Sequence, residues 1–211
     1  MNKNRLIKNE SLKEKIYNEL KKMVITSELE PGSRIVINEL CEMFGVSSTP
    51  VRDALHYLHA DGLIETELNN NYVINISSRD VDEIYEMREL LEPFAIEYIF
   101  KRNSDKSLLE NLRQKMMNCN ADEIFKIDIE FHELILEGCT NQRLKKQLRI
   151  LLNQSYHIAY KHYHKTRVQD ESREEIIAIL DAMINKNLDL AKSLLLKHFQ
   201  NSKLTIKKAV P

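Results

Sequence analysis

Apolar residues recur three and four positions apart through most of the chain, and this spacing predicts long helices with one buried face. Two clear examples are the series Val81, Ile84, Tyr85, Leu91, Ala95, Tyr98 and the series Leu144, Leu148, Leu151, Ser155, Ile158. After Gly62, only Pro93, Gly138 and Pro211 remain as strong turn formers, too few for the hairpins of a sheet protein. We therefore expect an all-helical domain over residues 79–211, with its boundary at Ile76–Asp80.

Two local signals describe the first helix of this domain. Asp80 followed by Glu83 resembles a capping box at the start of the helix. Pro93 lies inside the apolar pattern and has no backbone N–H to donate. We therefore expect the helix to bend or to be interrupted near Leu91–Glu92.

The front third of the chain alternates short periodic segments with turn formers. Ser11 and Glu14 form a capping box for the first helix. This first helix is expected to run to about Thr26, and an extended piece follows at Arg34–Val36. A second helix is predicted at Asn38–Phe44, and a third begins with Thr49 as its N-cap and ends at Gly62. A hairpin follows, with arms Leu63–Glu67 and Tyr72–Ile76 around Asn69–Asn71. This order is typical of a winged helix-turn-helix, here over residues 1–78. The predicted fold class is mainly α, with an N-terminal winged helix-turn-helix and a C-terminal all-α helical bundle.

The helix that follows Thr49 has a polar side and an apolar side. The polar side carries Ser48, Thr49, Arg52 and His56, and the apolar side carries Val51, Ala54, Leu55 and Leu58. In a helix-turn-helix the second helix enters the major groove with its N-terminal residues at the base edges. Arg52 can donate two hydrogen bonds to guanine O6 and N7, which is worth ~1–3 kcal/mol of discrimination. The alternative is an ordinary amphipathic helix on which Arg52 is solvated.

The remaining candidate DNA contacts flank this helix. Ser47, Ser48 and Thr49 can donate to phosphate together with the free backbone N–H groups of the helix start. Asn70 and Asn71 are expected at the tip of the wing, within reach of the DNA backbone or the minor groove. We therefore predict a DNA-binding set of Arg34, Ser47, Ser48, Thr49, Arg52, His56, Asn70 and Asn71.

Charge and cysteine content narrow the class of protein. The chain has 31 Lys and Arg against 32 Asp and Glu, and residues 1–79 have ten against eleven, so a DNA surface must be local. Besides Arg34 and Arg52, the cations that can contribute to such a surface are Lys3, Arg5, Lys8 and Lys13.

The sequence contains no apolar run of about 18 residues and begins without an apolar signal segment, so we expect no membrane association. Cys41, Cys119 and Cys139 form no CxxC pair, which favours reduced thiols in the cytoplasm.

The run PGSRIVINELCEMFGVSSTPVRDALHYLHADGLIE, from Pro31 to Glu65, resembles the DNA-binding domain of the GntR family of bacterial transcription regulators. That family typically has PG-x-x-L, a short helix, and then GVSRTPVREAL. The resemblance implies DNA contacts at Arg34, Ser47, Thr49 and Arg52, and at the wing near Asn70–Asn71. The sequence departs from the family in two places, because Ser48 replaces a usual Arg and Asn71 replaces a usual wing Gly.

In the helical domain, three residues have the chemistry of metal ligands. Asp128 and His132 are four positions apart, so they lie on one face of a helix, and His198 follows apolar residues at helical spacing. A carboxylate and two imidazoles that meet in a helix bundle can hold a divalent ion such as Zn, Ni or Mn. The alternative is that they are core residues that bond to each other.

The stretch Val81–Gln200 resembles the FCD ligand-binding domain of the FadR subfamily, through Asp128-x-x-Phe131-His132, Asn141-x-x-Leu144 and the segment Glu175–Phe199. Metal-binding members of that family use one Asp and three His. Asp128, His132 and His198 match three of these positions, and the fourth falls on Ile176, which cannot bind a metal. The site would then be completed by solvent and ligand, or by His157 or His162. The alternative interpretation is that these residues form a metal-free pocket that binds an organic effector.

The effector residues predicted in this domain are Arg88, Asn141 and His157. Arg88 matches the R-x-x-L-E pattern of the FCD family, and a guanidinium that faces a pocket suits a carboxylate effector. Its alternative role is a surface salt bridge with Glu92, four residues away. The His- and Tyr-rich run Tyr156–His164 can line a cavity or form the end of an amphipathic helix.

Together these patterns predict a dimeric bacterial transcription factor, with one winged helix on each half of a palindromic operator. A small organic acid in the helical domain would shift the population between DNA-competent and incompetent dimers. The resemblance to the GntR family favours a repressor over an activator. The rival interpretations are a metal-dependent hydrolase and a winged helix that binds protein. The hydrolase is disfavoured because no nucleophile motif, HExxH or phosphate loop accompanies the candidate ligands.

Overall fold

The structure, a computed structural model, describes residues 11–102, 106–163 and 168–208. Within these residues it has nine helices and one small sheet, so the predicted mainly α fold is confirmed. The chain divides into two compact units between Ile74 and Asn75. Across the same described residues, no helix is long and apolar enough to span a membrane.

The first unit places three helices against a three-stranded sheet. Its elements are α1 (Leu12–Ile25), β1 (Arg34–Ile35), α2 (Ile37–Phe44), α3 (Ser48–Ala60), β2 (Ile64–Glu67) and β3 (Asn70–Val73). The sheet is antiparallel in the order β1-β3-β2, with Arg34 opposite Tyr72 and Glu65 opposite Tyr72 on the other side. The buried faces of α1 and α3 pack together over the core, which contains Leu20, Val24, Val51, Leu55, Leu58, Leu63 and Val73.

The local signals of the first unit are mostly where the sequence placed them. Ser11 and Glu14 form the expected capping box, and Gly45 ends α2 with a left-handed φ of 64°. Thr49 as N-cap is wrong, because α3 begins at Ser48 and its N-cap is Ser47. Pro50 therefore lies in the first turn of α3, where its missing N–H breaks no helical hydrogen bond.

The β2–β3 hairpin is tighter than the expected loop over Asn69–Asn71. Glu67 pairs with Asn70, so only Leu68 and Asn69 form the turn. Both have left-handed φ angles, 46° and 65°, as a two-residue turn of this hand requires. Asn70 and Asn71 belong to β3 instead, and their expected position at the wing tip is corrected to one beside the tip.

The second unit is a bundle of six helices. They are α4 (Ser78–Arg102), α5 (Lys106–Asn118), α6 (Ala121–Gly138), α7 (Gln142–Tyr163), α8 (Val168–Ile184) and α9 (Leu188–Lys207). Helix α9 packs on α8 and α4, and α6 contacts α4, α7 and α8. Its largest fully buried side chains among the described residues are Phe131 and Phe199, followed by Ile96, Met116, Ile124, Ile135, Leu136, Leu148 and Leu152.

Two expectations for α4 need correction. The helix is capped three positions earlier than expected, because Ser77 and Asp80 exchange the capping-box hydrogen bonds: Ser77 N donates to Asp80 Oδ2 at 2.8 Å and Asp80 N donates to Ser77 Oγ at 3.3 Å. Pro93 does not interrupt the helix, which continues to Arg102. Burial of Pro93 and its neighbours Ala95 and Ile96 stabilises the turn despite the lost hydrogen bond.

Candidate nucleic-acid interface and metal centre

The two faces of α3 differ in burial as the sequence predicted. Val51, Ala54, Leu55 and Leu58 are buried, whereas Arg52 and His56 are exposed. The core therefore fixes the rotation of α3 and leaves its polar side accessible. An exposed arginine on a helix fixed in this way is suited to enter a groove of DNA.

The start of α3 is a set of exposed donors. Ser47, Ser48 and Thr49 are all exposed, and the Ser47 side chain makes no capping hydrogen bond within the described residues. The first backbone N–H groups of a helix have no intrahelical acceptor and attract anions. This end of α3 can therefore donate to a phosphate group through both hydroxyls and backbone.

A shallow groove separates α3 from the wing. It is lined by Ile37, Arg52, Leu55, His56, His59, Thr66 and Asn71. The Arg34 guanidinium donates to Asn70 Oδ1 at 2.6 Å, and Thr66 Oγ1 donates to Asn71 Oδ1 at 3.0 Å. The structure thus brings Arg52, His56 and Asn71 to one groove, and Arg34 is hydrogen-bonded to Asn70 of the wing.

Sequence reasoning missed the residue that forms the wing tip. Leu68 is 94% exposed and adopts a left-handed backbone although it is not a glycine. Thr66, which orients Asn71, was also missed. The positions of Leu68 and Thr66 depend on the pairing register of the two strands. The three consecutive asparagines are compatible with more than one register, so the sequence did not specify it.

In the second unit, the three predicted metal ligands converge. Asp128 and His132 lie one turn apart on α6, and His198 lies on α9. His132 Nε2 and His198 Nε2 are each 3.6 Å from Asp128 Oδ1. One ligand atom from each residue lies within 4.8 Å of the other two. These separations suit three donors around one ion.

The far side of each imidazole is held by a carboxylate. His132 Nδ1 lies 2.6 Å from Glu92 Oε2 on α4, and His198 Nδ1 lies 2.9 Å from Glu175 Oε2 on α8. A carboxylate that accepts from Nδ1–H leaves the Nε2 lone pair available and fixes the ring orientation, as in many metal sites. Both Nε2 atoms lie near Asp128 Oδ1, and Arg88 Nη2 is also 3.3 Å from His132 Nε2.

The donor set fits a divalent cation. Asp128 Oδ1 is buried and accepts no hydrogen bond from the described residues, a state that a bound ion would relieve. Three carboxylates, those of Glu92, Asp128 and Glu175, face one guanidinium and two imidazoles. The charges of the three carboxylates and the one guanidinium sum to −2, which a dication would balance. Imidazole and carboxylate donors suit Zn, Ni and Mn.

Arg88 is paired with Glu92 and also lines the cavity. Its Nε donates to Glu92 Oε1 at 2.5 Å, but this intrahelical pair is buried, not on the surface as the alternative supposed. The guanidinium also lines the cavity and lies 4.8 Å from the centre of the Phe199 ring. Burial alone would raise the pKa of Glu92, but Arg88 and His132 outweigh it and hold this pKa at about 2.

A cavity of about 50 Å³ adjoins the three donors, enough for a few waters or the head group of a small ligand. It is lined by Tyr85, Arg88, Phe125, Asp128, His132, Ser155, Tyr156, Ala159, Ser172, His198, Ser202, Thr205 and Ile206. Burial raises the pKa of Tyr85 to about 12, so its hydroxyl stays protonated. The wall therefore offers one cation and several hydroxyl groups to a ligand.

Other predicted residues lie away from this cavity. Asn141 is exposed, and its Oδ1 accepts from the N–H groups of Arg143 and Leu144 at the start of α7, so it caps a helix and does not reach the effector cavity. His157 is buried on α7 but is not among the cavity-lining residues. The side chain of His162 is outside the described residues. Ile176 is fully buried on α8.

The carboxylates behind the histidines were not predicted as site residues. Glu92 was considered only as a salt-bridge partner, and Glu175 is adjacent to the mismatched Ile176. Asn201, which donates to Glu175 Oε1, was also missed. Each reaches its partner from a different helix, and spacing along one helix carries no signal for such a contact.

These features define a DNA-binding regulator with a winged helix and a helical sensor domain. Residues 12–70 match bacterial regulatory proteins of the gntR family, and residues 83–201 match the FCD domain. The chain belongs to the GntR family of transcription regulators, in its FCD-containing branch. Its relatives are regulators of transcription, so it is a regulator and not an enzyme.

Individual relatives support the assignment to this family over most of the chain. An uncharacterized HTH-type regulator of Bacillus subtilis, YdhC, is 31% identical and covers 88% of this chain and 86% of its own. The gluconate operon transcriptional repressor of the same organism is 28% identical, covering 76% and 72%. The structure of Escherichia coli McbR/YncC has the same fold, with a TM-score of 0.77, 22% identity and coverage of 94% and 98%.

The buried Arg88–Glu92 pair predicts a large loss of stability when one partner is neutralised. Glu92→Gln leaves the Arg88 charge buried without its counter-ion, and we expect the free energy of unfolding to fall by about 3–5 kcal/mol. The matched control is Glu83→Gln, which breaks the exposed pair with Arg79 on the same helix. This change should cost less than about 0.5 kcal/mol. Equal effects in urea unfolding would contradict the distinction.

Proposed function

We propose that the protein is a repressor that binds a palindromic operator as a homodimer in the cytoplasm. Each α3 enters the major groove, where Arg52 meets a guanine edge and His56 lies further along the same face. Ser47, Ser48 and Thr49 bind the phosphate backbone at the start of the helix. The observation that carries this proposal is the exposed polar side of α3 above a buried apolar side.

The wing supplies the second set of contacts. Arg34 and Asn70 act as a hydrogen-bonded pair, and Asn71 lies in the groove beside Arg52 and His56. Because Ser48 replaces an arginine that is usual in the family, one bidentate contact is missing. We therefore expect a half-site that differs from the usual one at the base pair which that arginine reads.

Removal of Arg52 tests the DNA contact. Arg52→Ala should lose the specific part of operator binding, ~1–3 kcal/mol for each half-site, while the fold is retained. The control is Arg143→Ala, an exposed arginine of the second unit that should leave affinity unchanged. The measurement is a gel shift on the upstream region of the gene at increasing salt, since DNA binding weakens steeply as salt rises. Undiminished specific binding by Arg52→Ala would remove it from the interface, and absence of DNA binding would favour a protein partner.

An exposed apolar stripe on α4 supports the homodimer. Met87, Leu90 and Phe94 share one face of the helix and are 43%, 70% and 46% exposed. A contiguous apolar face of this kind is unusual on a monomer and typical of an interface. Two copies of α4 related by a twofold axis would cover each other's stripe.

A charge within the stripe tests the dimer. Leu90→Glu should convert the protein to a monomer in sedimentation experiments and weaken operator binding, because each half-site is then bound independently. Leu204→Glu is the matched control, a leucine of α9 that is 62% exposed outside the stripe. An unchanged dimer in Leu90→Glu, with its fold intact by circular dichroism, would place the interface elsewhere.

The second unit is proposed to be the sensor. Asp128, His132 and His198 hold a divalent ion, which supplies a Lewis-acidic positive charge beside the cavity when bound. Arg88 lies in the same wall and pairs with the carboxylate of an organic acid. By binding one conformation of the dimer more tightly, the acid shifts the population toward or away from the DNA-competent state.

Loss of one ligand tests the metal. In equilibrium dialysis against excess Zn²⁺, Ni²⁺ or Mn²⁺, the native protein should bind one ion per chain at saturation. His198→Ala should lose this ion, whereas His59→Ala, an exposed histidine of the first unit, should retain it. If the native protein binds none of the three ions, His132 and His198 instead belong to a metal-free pocket.

A further inference from the structure

We propose that His56 and His59 bind backbone phosphates of the operator as imidazolium cations, so that the protein takes up protons when it binds DNA and binds more tightly as the pH falls. This inference rests on the proposed operator binding by α3. It goes beyond that proposal because it adds His59 to the interface and makes the affinity depend on protons.

Two histidines continue the line of Arg52 along the exposed face of α3. Arg52, His56 and His59 are spaced four and three residues apart, so they lie on one face of the helix. All three are exposed, and all three line the groove between α3 and the wing. The burial of Val51 and Leu58 on the opposite side keeps this face turned outward.

The groove itself contains a positive charge and no carboxylate among the described residues. Its lining is Ile37, Arg52, Leu55, His56, His59, Thr66 and Asn71. Within this described set, the Arg52 guanidinium is the charged group that the two imidazoles face. The histidines therefore have a cation beside them but no anion, and a DNA phosphate supplies one.

The elements that pack against α3 are α1, α2 and β2, and their charged groups do not line the groove. On α1, Lys13 Nζ lies 5.7 Å from the centre of the Tyr57 ring, and the Tyr17 hydroxyl donates to Asp61. The exposed carboxylates of α2 and β2 are those of Glu39, Glu42, Glu65 and Glu67. Because none of these acids lines the groove, the anion that the histidines meet comes from outside the fold.

Helix geometry places His59 at the level of the phosphates. Residues seven positions apart in an α-helix are separated by ~10 Å along its axis. The major groove of DNA is about 12 Å wide. With Arg52 at a base edge near the start of α3, His59 near its end reaches the backbone at the edge of the groove. Both ring nitrogens of an imidazolium donate, so each histidine can form a charge-assisted hydrogen bond to a phosphate oxygen.

Protonation and DNA binding must then favour each other. Histidine is the side chain that ordinarily changes its charge between about pH 5 and 8, and a nearby anion favours its cation. The affinity for DNA therefore rises as the pH falls through this range, and it levels off once the free histidines are protonated as well. By reciprocity, a proton raises the affinity for DNA by the same factor as DNA raises the affinity for the proton. Such couplings are typically ~5–150-fold, and we expect about 10-fold for each histidine.

The test is a titration of the full-length protein into a fluorescent duplex of the upstream region of its gene. The titration is performed at about pH 8 and about pH 5.5, which span the ordinary range of histidine, and at several salt concentrations. We expect the native affinity to rise about 100-fold at the lower pH, from two histidines in each subunit. The slope of log affinity against log salt should also become steeper, by about 0.9 for each histidine that meets a phosphate. A merely structural role of the histidines would leave this slope unchanged.

Variants assign the protons to the two histidines. Glutamine keeps hydrogen-bonding groups but cannot be protonated, so the double variant His56→Gln, His59→Gln should gain less than about 3-fold at the lower pH. His59→Gln alone should keep a rise of about 10-fold. The matched control is Asp53→Asn, which changes an exposed charge of α3 outside the groove. It should keep the native rise, because an ordinary carboxylate is ionised throughout this pH range.

The outcomes separate the histidine contact from the operator binding on which it rests. If the native protein binds the duplex with an affinity and a salt slope that do not change with pH, the histidine contact is overturned and the proposed operator binding stands. A rise that persists in the folded double variant, or that Asp53→Asn abolishes, also overturns the histidine contact. If the protein binds no DNA at either pH, operator binding fails and the histidine contact fails with it.

Discussion

The second unit depends on one continuous buried network of charged side chains. Arg88 binds Glu92, Glu92 binds His132, and the two neighbouring histidines both face Asp128, with Glu175 behind His198. Removing so many charges from water is costly, and only complete pairing compensates. The network therefore constrains α4, α6, α8 and α9 to one arrangement, because displacement of any of them leaves a buried charge without its partner. Within this network, Asp128 Oδ1 is a buried oxygen that accepts no hydrogen bond from the described residues, and it lies where an ion fits.

Helix α4 has a different role on each of its sides. Arg88 and Glu92 point into the network, whereas Met87, Leu90 and Phe94 form the exposed stripe. The proposed sensor and the proposed dimer interface thus share one rigid element. In this proposal, a ligand that shifts Arg88 acts on the same helix that forms the dimer contact, so no long chain of intermediate contacts is required.

The spacing of apolar and polar residues predicted those features that depend on a single helix, such as which side chains share one of its faces. The buried side of α3 and the shared face of Asp128 and His132 follow from residue spacing, and both are confirmed in the structure. Glu92 and Glu175 could not be assigned in this way, because each meets a histidine 23 or 40 residues distant. The hairpin turn shows the same limit: Asn69–Asn71 all tolerate left-handed backbone, and strand pairing selected Leu68 and Asn69.

The link between the two units is short. The first unit ends at Ile74 and α4 begins at Ser78, so only three residues separate the DNA-binding unit from the helix that carries Arg88. In the proposed dimer, a short link would let a small displacement of α4 change the spacing of the two winged helices, and half-site spacing is a strict geometric requirement. The ligand must then supply differential binding energy: a change from 1:99 to 99:1 requires about 5.5 kcal/mol.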